Sequence, residues 1–172
     1  MSFSYYAASV RPELVEGPYY FARQKDGAST GSARTEEGVS GALRIAGYAA
    51  IFGIEDRGGD IIEPGAFAAT LAAQPPDGLP LLWQHDPLRR IGTVTYAAED
   101  RKGLRVIAQL TPEGTALASR DWGGGLSFGY RVRMSEGTRP RRLLALDLVE
   151  VSLVRLPMQA LARVHQIFGE SS

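Results

Sequence analysis

Two histidines occur in this chain, and one of them, His85, stands in Pro80-Leu-Leu-Trp-Gln-His-Asp-Pro87. Downstream, Ser127 lies in the glycine-rich stretch Gly123-Gly-Gly-Leu-Ser-Phe-Gly129. A serine hydroxyl is a weak nucleophile until a base takes its proton, and imidazole does so near neutral pH. The residues therefore offer one acyl-transfer pairing, His85 as base with Ser127 as nucleophile. The chain has no cysteine, which excludes disulfides and thiolate chemistry. Two histidines without cysteine also argue against a zinc or copper site. The pairing needs no metal and no organic cofactor.

Gly125-Leu-Ser-Phe-Gly129 also fits the G-x-S-x-G elbow of the α/β-hydrolases, with Asp147 and His165 following in the same order. That elbow requires strand, sharp turn and then helix. Here Leu126, Phe128, Tyr130, Val132 and Met134 alternate with Ser127, Gly129, Arg131 and Arg133, the period-2 pattern of a strand that runs on. The elbow reading fails, and a general esterase with it. Ser127 is expected on the face away from the apolar residues, flanked by glycines that keep side chains off its oxygen.

The elements that must position these groups are mostly strands. Apolar runs predict strands over Arg44 to Phe52, Leu79 to Trp83, Ile91 to Tyr96, Leu104 to Leu110 and Leu143 to Leu156. Pro64 opens a helix carrying Phe67 and Leu71, stopped by Pro75 and Pro76, and Thr111-Pro-Glu caps a second that runs to about Trp122. Pro157 begins a third, with Met158, Leu161, Val164 and Phe168 at helical spacing; that stripe either closes the core or pairs with a second chain as a homodimer. The sum is a mainly β, α+β fold, expected as a small, mostly antiparallel β-barrel.

At 172 residues with 44% hydrophobic content, one core is expected and not two. Nineteen basic residues balance 19 acidic ones, so no global field favours nucleic acid or an anionic membrane. No apolar run reaches the roughly 20 residues of a membrane helix, and the N-terminus lacks a signal-peptide order. The expectation is a soluble intracellular protein. Residues 1–41 read as a disordered leader: Gly27 to Gly38 is small and polar, and Arg11-Pro-Glu-Leu-Val-Glu-Gly17 looks like a translated bacterial palindromic repeat. Deleting the leader is expected to spare the fold, unless Tyr5, Tyr19 or Phe21 docks on it. Residues 42–168 form the working domain and 169–172 a tail. The basic cluster Arg139-Pro-Arg-Arg142, with Arg131 and Arg133, reads as a solvated hairpin tip, the alternative being a dock for an acidic segment.

Three separated blocks resemble the prohead proteases of tailed bacteriophages, the serine proteases that mature viral capsids. They are Gly47-Tyr-Ala-Ala-Ile-Phe52 with Asp60-Ile-Ile-Glu-Pro-Gly-Ala-Phe67; Pro80 to Asp86 with Ile91-Gly92; and Leu126-Ser-Phe-Gly-Tyr130 with Asp147-Leu-Val-Glu-Val-Ser-Leu-Val154 and Pro157. The resemblance implies the compact β fold shared with herpesvirus assembly proteases. It implies a triad with Ser127 as nucleophile, His85 as base and Glu150 as the orienting carboxylate. Asp147 is the rival for the third place, but a separation of three puts the two acids on opposite faces of a strand, so only one can meet His85. The implied substrate is the major capsid protein with its scaffold segment, and the protease itself, cut inside the assembling prohead in the bacterial cytoplasm. A decaying prophage or gene-transfer-particle copy, or a non-catalytic capsid-assembly module with the same fold, is the alternative. The oxyanion donors fall to either Gly123 to Gly125 or the turn Arg155 to Gln159. The chain ends at Ser172, so recruitment through a long C-terminal region is not expected.

Overall fold

The computed structural model of the protein describes residues 14–15, 43–73, 78–120 and 122–169. In chain order its elements are β1 (Leu14–Val15), β2 (Arg44–Ile51), β3 (Asp60–Ile62), α1 (Ala68–Ala72), β4 (Leu79–Trp83), β5 (Asp86–Glu99), β6 (Gly103–Leu110), α2 (Pro112–Ala118), β7 (Gly125–Glu136), β8 (Arg141–Val154) and β9 (Val164–Phe168). The fold is mainly β with few helices, as expected. Apart from Leu14–Val15, the proposed leader lies outside the described residues, as do Pro75, Pro76 and most of the tail.

The strands form one sheet in the order β1-β7-β8-β4-β5-β6-β2-β9, with β3 added to β8. Its pairings are antiparallel except where β3 and β4 run parallel to β8. Among the described residues the sheet is not closed, its ladder ending at β1 on one side and β9 on the other. An isolated bridge between Gly125 and Arg163 links the two regions, supported by Leu126 N–H to Ala162 O at 2.9 Å and Val164 N–H to Gly124 O at 2.9 Å. Beyond that bridge β9 runs along β2, where Arg44 pairs with Phe168, so among the described residues no continuous ladder closes the sheet.

The third predicted helix is a misreading of period. After Pro157 the chain turns and rejoins the sheet as β9. Its β-branched Val164 and Ile167 suit a strand, and the edge of β2 offers backbone partners that a helix would leave open. The stripe proposed for dimer pairing therefore does not exist, and Leu161 is exposed. The Thr111 cap is as expected, its hydroxyl accepting from Gly114 N–H, but α2 stops at Ala118, before Trp122.

β8 organises the interior. It pairs with β7 along one edge and with β3 and β4 along the other, so its last five residues, Glu150 to Val154, are all buried. Val151 and Leu153 enter a core with Leu81, Ile91, Leu104, Leu126 and Phe67, each worth about 1.5–3 kcal/mol of burial. The alternate residues Glu150 and Ser152 cannot join that core, and they share the other face of the strand. No helix among the described residues is long and apolar enough to cross a membrane.

Candidate active site

His85 lies just past the strand predicted to end at Trp83, in a two-residue loop, Gln84–His85, that joins β4 to β5 with Trp83 paired to Asp86. Both loop residues have positive φ, 54° and 61°, the sign that a tight type I′ hairpin requires. Neither is glycine, so this conformation costs about 1–3 kcal/mol per residue and is held by its surroundings. Gln84 N–H donates to Leu153 O at 2.9 Å, and His85 N–H to Ser152 Oγ at 3.2 Å. The parallel β4–β8 pairing thus folds the histidine back over Glu150 and Ser152.

There the ring and Glu150 meet, His85 Nδ1 standing 2.7 Å from Glu150 Oε1. Glu150 is 6% exposed, and its second oxygen accepts the Ser152 hydroxyl at 2.5 Å. Burying a carboxylate is costly unless its lone pairs are used, and here both oxygens have donors. A small ring results: His85 N–H to Ser152, Ser152 O–H to Glu150, and Glu150 back to the imidazole. A carboxylate on Nδ1 makes that nitrogen the donor and leaves Nε2 as the free base.

Room for Glu150 comes from β7, where Gly129 is its cross-strand partner. A Cβ at Gly129 would lie 2.6 Å from Glu150 Oε1 and 3.0 Å from its Cγ. Gly129→Ala is therefore expected to push the carboxylate off His85, and a displacement near 1 Å lowers turnover about a hundredfold. Steady-state kinetics with a thermal midpoint measured alongside check this; an alanine variant as active as the parent would show that Glu150 does not govern the histidine.

Ser127 sits two residues before Gly129 and pairs directly with Ser152. Sequence alternation puts it on an open face; in the structure it is 6% exposed. Its hydroxyl makes no hydrogen bond among the described residues. Ser127, His85 and Glu150 line one cavity of about 580 Å³, walled by Ala49, Pro80, Leu82, Leu126 and Phe128. Met158 and Gln159 border it too, whereas Gly123 to Gly125 do not. Gln159 is buried, and its side chain ties this turn to the end of β2: Oε1 accepts from Ile51 N–H at 2.7 Å, and Nε2 donates to Ile51 O at 2.9 Å and Ile54 O at 3.1 Å.

Other sequence candidates lie elsewhere. Asp147 accepts from Arg133 Nε at 2.6 Å and does not border the cavity. His165 is on β9, with its ring edge-on to Tyr48 at 5.8 Å. The basic cluster is only partly a solvated tip, because Arg141 grips Asp60 through two bonds of 2.8 and 2.7 Å and Arg142 pairs with Glu63 at 2.9 Å. Two features escape sequence reasoning. Ser152 had a readable signal, since Glu150 and Ser152 are two apart on one strand. The Asp60–Arg141–Tyr130 group, with Tyr130 O–H donating to Asp60 Oδ2 at 3.0 Å, had none, because its members are up to 81 residues apart. Burial foremost, then the Asp60 charge, pushes the Tyr130 phenol well above its ordinary range.

The family model of the caudovirus prohead serine proteases matches residues 30–170. Over 92 residues the chain is 40% identical to the prohead protease of Enterobacteria phage HK97, covering 53% of this chain and 40% of that protein. It is 31% identical over 127 residues to the capsid polyprotein of Pseudomonas phage PAJU2, covering 65% of this chain and 18% of the polyprotein. The chain thus spans less than half the length of either relative. Among solved structures, the KSHV protease in complex with a hexapeptide phosphonate inhibitor aligns with a TM-score of 0.50 at 16% identity, covering 76% of this chain and 66% of that one. That likeness is one of fold, the fold of the herpesvirus proteases.

Proposed function

The chain belongs to the caudovirus prohead serine protease family, and we propose that it is a serine endopeptidase that cuts the scaffold region of a phage-type major capsid protein, and itself, inside the maturing prohead. The observation that carries this reading is the His85–Glu150 pair at 2.7 Å on the wall of the cavity that Ser127 also lines. In the proposed reaction His85 Nε2 takes the Ser127 proton as Oγ bonds the scissile carbonyl carbon. Glu150 holds the ring in the productive tautomer and stabilises the imidazolium. The tetrahedral intermediate collapses, the C–N bond breaks, and the departing amine takes the proton from Nε2. Water then attacks the acyl-serine by the same route in reverse.

The oxyanion donors are assigned to the backbone of Met158 and Gln159, because that turn borders the cavity and the Gln159 side chain pins it to β2. Donors of this kind supply about 2.7–4 kcal/mol each. The scissile segment is taken to lie along β7 as an added strand, since that edge already accepts an extended piece of chain, with Leu14 opposite Arg131 and Val15 opposite Tyr130. The bridge between Gly125 and Arg163 supports reading the sheet as a barrel closed at one point.

A fluorophosphonate probe tests the chemistry before any substrate is known. The folded protein is expected to gain one phosphonyl group, mapped by peptide mass to Ser127. Folded protein that stays unlabelled there would favour a non-catalytic capsid-assembly module.

A further inference from the structure

The cavity that holds Ser127 and His85 continues past Tyr130 to a second set of charges, Asp56, Asp60 and Arg141. Two of these cancel. Arg141 grips both oxygens of Asp60, and Tyr130 donates to one of them. Asp56 differs. Its Oδ1 accepts only backbone donors, Gly58 N–H at 2.7 Å and Asp60 N–H at 3.0 Å, and among the described residues it has no ion pair. The other cation on the cavity wall, Arg90, is turned to Gly92 O and the Thr93 hydroxyl.

Asp56 therefore faces the substrate cavity with no ion pair among the described residues. Burial foremost raises its pKa, the backbone N–H groups of Asp60 and Gly58 offset part of that rise, and the Asp60 charge adds a smaller rise. A cation supplied by a ligand would relieve both rises. The wall beside Asp56 is Met158, whose methyl end reaches Gly58, and such a wall suits the aliphatic stem of a long basic side chain with its charged head at the carboxylate. We propose that Asp56 is a specificity-determining residue, binding a lysine or arginine side chain of the substrate polypeptide close to the scissile bond. This rests on the endopeptidase reading above. It sets the substrate class as segments with a basic residue at one fixed position from the cut.

The test is a library of peptides made from a proteome with a protease that does not cut at basic residues, digested with the full chain and sequenced by mass spectrometry. Wild-type protein is expected to cut sites enriched in Lys or Arg at one position, and acetylating the lysines of the library should remove the lysine part of that enrichment. Asp56→Asn keeps the oxygen that accepts from Gly58 and Asp60 while deleting the charge; its enrichment should fall about tenfold or more. Cleavage with no basic preference, or a preference unchanged in Asp56→Asn, overturns the assignment and leaves the endopeptidase standing. Loss of all cleavage alike in that variant makes Asp56 a structural turn residue and equally overturns it. Wild-type protein that cuts nothing removes the endopeptidase reading, and this one with it.

Discussion

Ser127→Ala, co-expressed with its capsid protein, is expected to leave capsid subunits at full length and the protease unprocessed, while the wild type yields shortened subunits. In the proposed mechanism the hydroxyl is the atom that bonds the scissile carbon, and alanine has no substitute for it. Losing that step in a Ser-His-carboxylate site costs on the order of a million-fold in turnover. The fold should barely notice. The Ser127 hydroxyl makes no hydrogen bond among the described residues, so its removal orphans no buried partner. A thermal midpoint near that of the parent, with no cleavage by gel or mass spectrometry, is the expected pair of results. If Ser127→Ala trims the capsid protein as well as the parent does, a host protease is cutting and the assembly module is the better reading. His85→Ala should be equally inactive but less stable, because alanine would inherit a φ of 61° and leave Glu150 without its ring partner. For that reason His85→Asn, which tolerates positive φ, is the cleaner control.

The sequence made parts of this architecture legible because they are local. Alternation located β7 and excluded a nucleophile elbow, and Thr111-Pro-Glu announced the start of α2. Local reasoning also said that Glu150 and Asp147, three apart on a strand, face opposite ways, while the preference for Glu150 came from the family resemblance; in the structure Glu150 meets His85 and Asp147 meets Arg133. What stayed hidden depends on distant partners. Gln84–His85 carries no glycine to advertise a loop with positive φ, and its hydrogen bonds to Leu153 O, Ser152 Oγ and Glu150 Oε1 all reach a strand some 65 residues or more away. Val164 to Phe168 satisfies helical and strand periods alike, and the open edge of β2 decides between them. The balance of Asp60 by Arg141, which leaves Asp56 with no ion pair among the described residues, appears only when β3 is laid beside β8.

Glu150→Gln is expected to fold and to lose about ten-thousandfold in turnover, as the equivalent change does in a Ser-His-Asp site. The local geometry says why an amide fails. Ser152 has one hydroxyl proton and already accepts from His85 N–H, so its proton must go to an acceptor at position 150. If the glutamine oxygen takes that proton, its NH₂ faces His85 and can only donate. Nδ1 must then be bare, Nε2 carries the hydrogen, and the ring can no longer receive the Ser127 proton. If the amide turns the other way, the Ser152 proton loses its acceptor and the imidazolium still lacks a counter-charge. Both orientations fail the chemistry while filling the same space, so the thermal midpoint should shift far less than the rate. Asp147→Asn is the matched control. It weakens a partly exposed pair with Arg133 that is worth less than about 1 kcal/mol. Rates of fluorophosphonate labelling and of capsid cleavage should therefore fall steeply for Glu150→Gln and hardly at all for Asp147→Asn. The reverse order would move the orienting role to Asp147, and equal, small losses would mean that His85 holds its tautomer without a carboxylate.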